Sequence, residues 1–273
     1  MAFQHQPATP PSRPRAGQAL LARVDRLIHA LALVILTGAS WAYLVYQDWA
    51  MRHMDVIDMA MPGAGPWSAG DLALVFVMWA VMMMAMMLPS VLPLVLIHRR
   101  LVTMRLPHAA SSAPTAMLVA GYLSMWTAFS VVATLMQWTL HTLAFISPGM
   151  VATNRWIASA LLIAAGVYQW TPMKGACLSS CASPLQFLMT RWRDGVPGAW
   201  RMGVLHGAYC IGCCWMLMTL LFVYGVMNLA WIAGIAFYVF LEKLLPPNRW
   251  FARASGLALI ALGVIYAFGA TVH

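Results

Sequence analysis

The stretch His206-Gly-Ala-Tyr-Cys210-Ile-Gly-Cys213-Cys214-Trp215 places one histidine and three cysteines inside an otherwise apolar segment. These four side chains occupy relative positions 0, 4, 7 and 8, which lie on one face of an α-helix. The surrounding apolar segment, residues 202–244, would be about 65 Å long as a helix, which predicts two membrane spans rather than one. The sequence therefore predicts a row of metal-binding or redox-active side chains on a transmembrane helix.

The other two cysteines, Cys177 and Cys181, lie just upstream, so all five thiols fall within 38 residues of a 273-residue chain. They would be one turn apart on the same side of a helix if residues 177–193 form a helix at the membrane interface. The odd number of cysteines means that not every thiol can pair, and a reducing cytoplasm disfavours a permanent disulfide. A bound metal or a transient redox pair is the expected use of these thiols.

The composition is that of an integral membrane protein. Hydrophobic residues make up 62% of the chain, charged residues make up 8%, and the mean hydropathy is +0.77. Soluble domains carry about 25% charged residues. The long apolar runs indicate membrane-spanning helices, whereas a β-barrel would show short alternating segments. The net charge is +9, and the basic residues responsible for it cluster between the apolar runs. They therefore indicate membrane topology and not nucleic-acid binding.

We predict an all-α, polytopic transmembrane helix bundle of about seven spans, with six spans and a re-entrant segment as the alternative. The predicted spans are 27–46, 71–97, 117–143, 156–170, 254–270 and two spans within 202–244 that are separated near Gly225 to Asn228. Residues 1–26 are expected to be a disordered basic tail, and residues 27–273 a single transmembrane domain. On this arrangement 14 of the 16 Lys and Arg residues, and the N-terminus, face the cytoplasm.

Methionine is concentrated in the second predicted span, where six of the ten residues 78–87 are methionine. Met82, Met83, Met86 and Met87 are the candidate metal ligands in this run, although methionine is also a common packing residue. The preceding loop holds further soft or acidic side chains, namely Met51, His53, Met54, Asp55, Asp58, Met59 and Met61. A series of soft donor side chains that runs from this loop, through the methionines, to the cysteines would pass a cation toward the cytoplasm.

The chemistry of the donors favours Cu(I). Thiolates bind Cu(I) and zinc, whereas thioethers favour Cu(I) and have little use for zinc. We therefore expect Cu(I), with zinc as the alternative. The candidate metal ligands are Cys177, Cys181, His206, Cys210, Cys213, Cys214 and the four methionines. The chain has no paired carboxylates, Ser-His-Asp order or Gly-rich phosphate loop, so no catalytic residue is assigned.

Polar residues near the cysteines have expected supporting roles. Glu242 is the only glutamate in the chain, and we expect it to pair with Arg201 or Lys174, or to accept a proton. Tyr168 at the end of the fourth span is expected to hydrogen-bond to residues around the metal ligands. Lys174 is the expected source of positive charge beside the thiols.

The chain resembles a bacterial family of predicted metal-binding integral membrane proteins, a domain of unknown function. The resembling elements are Met82-Met-Met-Ala-Met86-Met-Leu-Pro89, Gly166-Val-Tyr-Gln-Trp-Thr-Pro-Met-Lys174, Cys177-Leu-Ser-Ser-Cys181, Cys210-Ile-Gly-Cys213-Cys214-Trp215 and Glu242-Lys243. They span about residues 70–245. The resemblance implies metal binding by a multi-pass protein of the bacterial inner membrane, without an established reaction.

Three functions fit these observations. The first is a Cu(I)-binding protein that moves copper or delivers it to a membrane or periplasmic cuproprotein. The second is a membrane thiol–disulfide oxidoreductase, with Cys213 or Cys210 attacking and Cys177 or Cys181 resolving. The third is an accessory subunit of a larger membrane complex. The expected partners are the lipid bilayer and such a cuproprotein or complex, with no nucleic acid.

Overall fold

The computed structural model describes residues 16–53, 65–105, 112–143, 154–245 and 249–269. These residues form ten α-helices and no strand, which confirms the predicted all-α class. The helices are α1 (Ala16–Arg52), α2 (Ala69–Arg105), α3 (Ala113–Thr142), α4 (Arg155–Tyr168), α5 (Pro172–Ala182), α6 (Pro184–Arg191), α7 (Gly195–Thr219), α8 (Leu221–Tyr224), α9 (Leu229–Leu244) and α10 (Arg249–Phe268).

Within the described ranges, five helical segments are long and apolar enough to cross a membrane, namely Arg26–Arg52, Ala69–Arg105, Ala113–Thr142, Gly195–Tyr224 and Trp250–Phe268. The other two predicted spans correspond to α4 and α9, which have 14 and 16 residues. At 1.5 Å per residue they are about 21 and 24 Å long, shorter than a hydrocarbon core of about 30 Å. The count of seven spans therefore stays a prediction.

One predicted segment differs from the structure near the N-terminus of the described residues. Helix α1 begins at Ala16, inside the segment 1–26 that was predicted to be a disordered tail. The reason is local, because residues 16–22 are mainly alanine, leucine and glutamine, which favour helix. Residues 1–15 lie outside the described residues, as do the loop residues Met54, Asp55, Asp58, Met59 and Met61.

The segment that carries the first cysteine pair forms two helices where one was expected. Helix α5 begins at Pro172, and the Thr171 side chain caps it by accepting a hydrogen bond from the Lys174 backbone N–H at 3.3 Å. It ends at Ala182 because Pro184 has no N–H to donate to a continuing helix and begins α6 instead. The single helix predicted over residues 177–193 was therefore wrong in its bounds and its continuity.

The break predicted near Gly225 to Asn228 is confirmed. Gly225 follows α8 with a positive φ of 96°, a conformation that glycine adopts without steric cost. The Asn228 side chain then caps α9 by accepting hydrogen bonds from the backbone N–H groups of Ala230 and Trp231 at 3.2 and 3.4 Å. The chain thus ends one helix and starts the next within four residues.

Helix α2 continues through Pro89 and Pro93. Because Pro89 has no backbone N–H, the Ala85 carbonyl lacks its normal donor four residues later. The indole N–H of Trp41 on α1 donates to this carbonyl at 3.0 Å. A hydrogen bond between α1 and α2 therefore replaces one that the proline removes from α2.

Glycines allow α3 and α7 to approach at backbone distance. A Cβ atom added at Gly203 would overlap the Leu118 carbonyl oxygen, and one added at Gly207 would lie 2.8 Å from the Met125 Cβ. Small residues at helix interfaces are the usual means of such close contact. The approach brings Tyr122 on α3 against the cysteine face of α7.

Substituting Gly203→Ala tests this contact. We expect the variant to lose about 1–3 kcal/mol of unfolding free energy, because the added methyl group must displace the α3 backbone. The measurement is denaturant-induced unfolding of the detergent-purified protein.

The matched control is Gly38→Ala on α1, where an added Cβ meets nothing within 4 Å. Alanine there should be neutral or stabilising by up to about 1 kcal/mol, since it is the better helix former. Equal stability of the two variants would contradict the proposed close contact.

Candidate metal centre

The predicted row on α7 is present and faces the protein interior. His206, Cys210, Cys213 and Cys214 are all buried, and each is at most 3% exposed. The Cys213 and Cys214 thiols donate hydrogen bonds to the Cys210 backbone carbonyl at 3.1 and 3.0 Å. The helical spacing therefore places all four side chains in the core, where no bulk water reaches them.

Helix α5 brings the second cysteine pair to the first. The Cys181 thiol is buried and takes part in hydrogen bonds with both Cys210 and Cys213. The half-buried Cys177 lies against Gly212, with its Sγ atom 2.7 Å from the position that a Cβ on Gly212 would occupy. The two cysteine groups, whose meeting the sequence left open, therefore form one cluster. All five thiols are free.

The glycine of the Cys-Ile-Gly-Cys-Cys sequence has a specific role in this cluster. A side chain at Gly212 would collide with the Cys177 sulfur, so the Cys177 side chain or α5 itself would have to shift. The Tyr168 hydroxyl donates to the Gly212 carbonyl oxygen, which confirms the expectation that Tyr168 bonds to residues around the thiols. Burial raises the pKa of the Cys177 thiol, and the nearby Cys213 raises it further.

A buried lysine contacts the centre of the cluster. The Lys243 ammonium lies 2.9 Å from the Cys210 sulfur and 3.0 Å from the Ser90 hydroxyl oxygen. Its positive charge stabilises negative charge on the Cys210 sulfur in a low-dielectric environment. The sequence had suggested Lys174 for this role, and the structure places Lys174 elsewhere, in an ion pair with Glu242.

Tyr122 joins the cysteines to the methionine run. Its hydroxyl lies 3.1 Å from the Cys210 sulfur and 3.2 Å from the Met87 carbonyl oxygen. The Ser90 hydroxyl donates to the same carbonyl at 2.8 Å. The candidate methionines Met82, Met83, Met86 and Met87 are all buried in the core. The Met87 end of the methionine run is therefore linked to Cys210 through Tyr122.

His206 has a ring nitrogen without a hydrogen-bond partner. Its imidazole is buried between Tyr122 and Phe187, whose ring centroids lie 6.0 and 5.0 Å away. Among the described residues, nothing forms a hydrogen bond with its Nδ1 atom. Burying a polar atom without a partner costs free energy, and this atom belongs to the residue one helical turn before Cys210.

The donors are neighbours without forming a preorganised cage. Within the described ranges, no group of three or more His, Cys, Asp or Glu side chains is arranged to hold a metal ion. The thiols instead bond to one another and to backbone carbonyls. A metal ion at this place would have to replace those hydrogen bonds.

A buried ion pair fixes α5 beside the cluster. The Lys174 ammonium lies 2.7 and 2.8 Å from the two carboxylate oxygens of Glu242 on α9, and it also donates to the side chain of Gln169. The Tyr238 hydroxyl lies 3.3 Å from Glu242. Of the partners expected for Glu242, the structure therefore selects Lys174.

Three contact residues were absent from the sequence prediction, namely Ser90, Tyr122 and Gly212. Gly212 had a signal, because a glycine between cysteines on one helix face suggests a close approach by another element. Ser90 and Tyr122 had none, since they come from other helices and form part of no motif.

Fold and site together define a helical bundle protein with a buried cluster of cysteine thiols, and with His206 and the four candidate methionines also buried in its core. The PpoB2 family model, described as a copper chaperone, matches residues 76–266, and the chain belongs to this family. The match includes both cysteine groups, His206 and all four candidate methionines. No curated protein and no solved structure matches the chain. The family supports the expectation that the function concerns copper.

The ion pair gives a test by double substitution. Glu242→Gln should cost about 3–5 kcal/mol of unfolding free energy, because it leaves the Lys174 ammonium buried without a counter-charge. The double variant Lys174→Met, Glu242→Gln should be more stable than Glu242→Gln alone, since no uncompensated charge remains. Denaturant unfolding of both variants measures the difference.

The matched control is the exposed pair Arg52 and Asp48, whose atoms lie 3.0 Å apart. Asp48→Asn should change stability by less than about 1 kcal/mol, as is usual for surface pairs. If Glu242→Gln were as mild as this control, the ion pair would not hold α5 in place.

Proposed function

We propose that this chain is an integral membrane protein that binds Cu(I) at the buried cluster and delivers it to a copper-requiring protein. The observation that carries the proposal is the hydrogen bonding of the Cys181 thiol with Cys210 and Cys213, with the buried His206 one turn before Cys210 on the same helix face, in a member of a copper chaperone family. Thiolate sulfur and imidazole nitrogen are donors that Cu(I) accepts.

The arrangement of the donors favours Cu(I) over zinc as the cargo. Structural zinc sites are almost always tetrahedral with four protein ligands. Cu(I) is stable with two or three soft ligands, so a small displacement of two neighbouring thiols is enough to hold it. Since no group of three donors is preformed in the described part of the chain, the site fits an ion of low coordination number.

The charges at the site are compatible with reversible binding of Cu(I). Binding to a thiol releases its proton, because the thiolate is the ligand. Without copper, the Lys243 ammonium stabilises negative charge on Cys210. Cu(I) held by two thiolates leaves one net negative charge, which the same ammonium balances. The protein is therefore stabilised in both states, as delivery requires.

The dimensions of α2 support a membrane location for the cluster. Asp71 near its start and Ser90 beside Lys243 are separated by about 28 Å of helix, close to the thickness of a hydrocarbon core. The buried methionines lie between these two levels. They would supply thioether ligands across the membrane, ending at Cys210. We propose the bacterial inner membrane as the location.

The proposed recipient is a membrane or periplasmic cuproprotein, and the chain can act alone or as a subunit of a larger membrane complex with that recipient. The segment beyond Asp71 that would face such a recipient contains Met51 and His53. Co-purification of tagged protein from its native membrane distinguishes a stable complex from a free carrier.

The test of copper binding is elemental mass spectrometry of protein purified in mild detergent under reducing, anaerobic conditions, after copper and zinc have both been offered. We expect about one copper per chain, and loss of most of it in the variant with Cys210, Cys213 and Cys214 all changed to Ser, because thiolates are the expected Cu(I) ligands.

The control is Ser130→Ala, which alters a buried hydroxyl of α3 that bonds to the Trp126 carbonyl and not to the cluster. It should keep its copper, and the helix content of the triple variant should match the wild type. Equal copper content in the wild type and the triple variant would refute copper binding by these cysteines. Preferential binding of zinc would refute Cu(I) as the transported ion.

A second candidate function is thiol–disulfide exchange, which the Lys243 to Cys210 contact and the Cys181 hydrogen bonds favour. In that reaction two thiols of the cluster would become a disulfide while a substrate disulfide is reduced to two thiols. In Cys181→Ser, the exchange would stop as a mixed disulfide with the substrate. For a copper carrier we expect no such adduct in non-reducing mass spectra, and its accumulation would favour the second function.

A further inference from the structure

Helix α5 carries three sulfur-containing side chains at successive turns, namely Met173, Cys177 and Cys181. The spacing of four residues places them along one face of the helix. Their exposure falls in order, because Met173 is 54% exposed, Cys177 is half-buried and Cys181 is 6% exposed. We call this series the α5 sulfur row.

The inner end of the α5 sulfur row meets the buried cluster. Cys177 lies against Gly212 and interacts electrostatically with Cys213, and Cys181 hydrogen-bonds with Cys210 and Cys213. The outer end, Met173, lies on the surface. The three cysteines of α7 are themselves at most 1% exposed, so a partner cannot reach them directly.

We propose that the α5 sulfur row is the path by which Cu(I) passes between the buried cluster and a thiol-bearing copper carrier at the protein surface. This inference rests on the proposed copper function and adds where the ion enters or leaves and what kind of partner exchanges it. Met173, which is not among the metal ligands predicted from the sequence, is its first contact.

Each step is a ligand exchange without a change in oxidation state. A new sulfur atom bonds to Cu(I) before an earlier sulfur atom leaves, so the ion always keeps at least two ligands. A thiol that becomes a ligand releases its proton, and a thiolate that leaves takes one up. The Met173 thioether needs neither step, because it has no proton.

The structure holds the row in register with the cluster. The Lys174 and Glu242 ion pair joins α5 to α9, and the Thr171 side chain fixes the first turn. Lys174 is buried although it lies between the exposed residues Met173 and Gly175, so α5 has a defined inner face. The path therefore needs no large movement of α5.

A methionine on the next helix supplies the control. Met189 on α6 is 64% exposed, similar to Met173, but it has no cysteine one turn away. Leucine is close to methionine in volume and lacks sulfur, so Met→Leu removes the donor with little effect on packing. Comparing Met173→Leu with Met189→Leu isolates the position of the thioether.

The experiment is copper transfer measured by stopped flow. Wild type, Met173→Leu, Cys177→Ser and Met189→Leu are loaded with Cu(I) anaerobically in detergent, their copper content is measured, and each is mixed with excess glutathione. Glutathione is a small thiol that can act as the carrier. The fraction of copper that remains on the protein is followed with time.

We expect equal copper content in wild type, Met173→Leu and Met189→Leu, since these changes leave the thiols of the buried cluster intact. For Cys177→Ser, which removes one of those thiols, the transfer rate is taken per copper bound. The transfer rate should fall about threefold or more in Met173→Leu and about tenfold or more in Cys177→Ser, and it should be unchanged in Met189→Leu. Both decreases in transfer rate are expected because removing one sulfur atom lengthens the distance that Cu(I) must cover between successive ligands.

The other outcomes separate the two proposals. Equal transfer rates in all four proteins, with copper bound, would overturn the path and leave the copper function standing. Loss of copper from Met173→Leu at equilibrium would also overturn it, because Met173 would then be a ligand of the resting site. Absence of copper from every protein, wild type included, would overturn both proposals.

Discussion

The arrangement of the cluster depends on one buried ion pair, Lys174 with Glu242. Removing both charges from water is costly, and it is tolerated here because the ammonium contacts both carboxylate oxygens and the side chain of Gln169. Helix α5 has only 11 residues, too few to be stable by itself. The ion pair therefore fixes the position of α5, and through it the approach of Cys177 and Cys181 to α7.

The neighbouring lysine has a different electrostatic role. Lys243 follows Glu242 in the chain, yet its partners among the described residues are the Ser90 hydroxyl and the Cys210 sulfur. One end of α9 thus supplies a carboxylate to hold α5 and an ammonium to face the thiols. The Glu242 side chain contacts α5, whereas the Lys243 side chain contacts Cys210 on α7. These two consecutive residues therefore couple the position of the α5 cysteines to the positive charge beside Cys210.

Features carried by a single helix were the ones predictable from the sequence. The period of His206, Cys210, Cys213 and Cys214 predicted their common face, and Gly225 and Asn228 predicted the break before α9. Pro184 carried enough information to predict the division between α5 and α6, since proline begins a helix readily and cannot continue one. Contacts between helices were not predictable, as Tyr122, Ser90 and Lys243 show, because the approach of separate helices leaves no pattern along the chain.

The hydrogen bond from Trp41 to the Ala85 carbonyl makes two distant positions depend on each other. Because position 89 has no amide hydrogen, the Trp41 indole supplies the hydrogen bond to that carbonyl from α1. An amide hydrogen at residue 89 would give the carbonyl a donor within α2, so losing the tryptophan hydrogen bond would then no longer leave it unsatisfied. Substitutions at 41 and 89 should therefore be non-additive, so that exchanging both costs less than the sum of the two single changes.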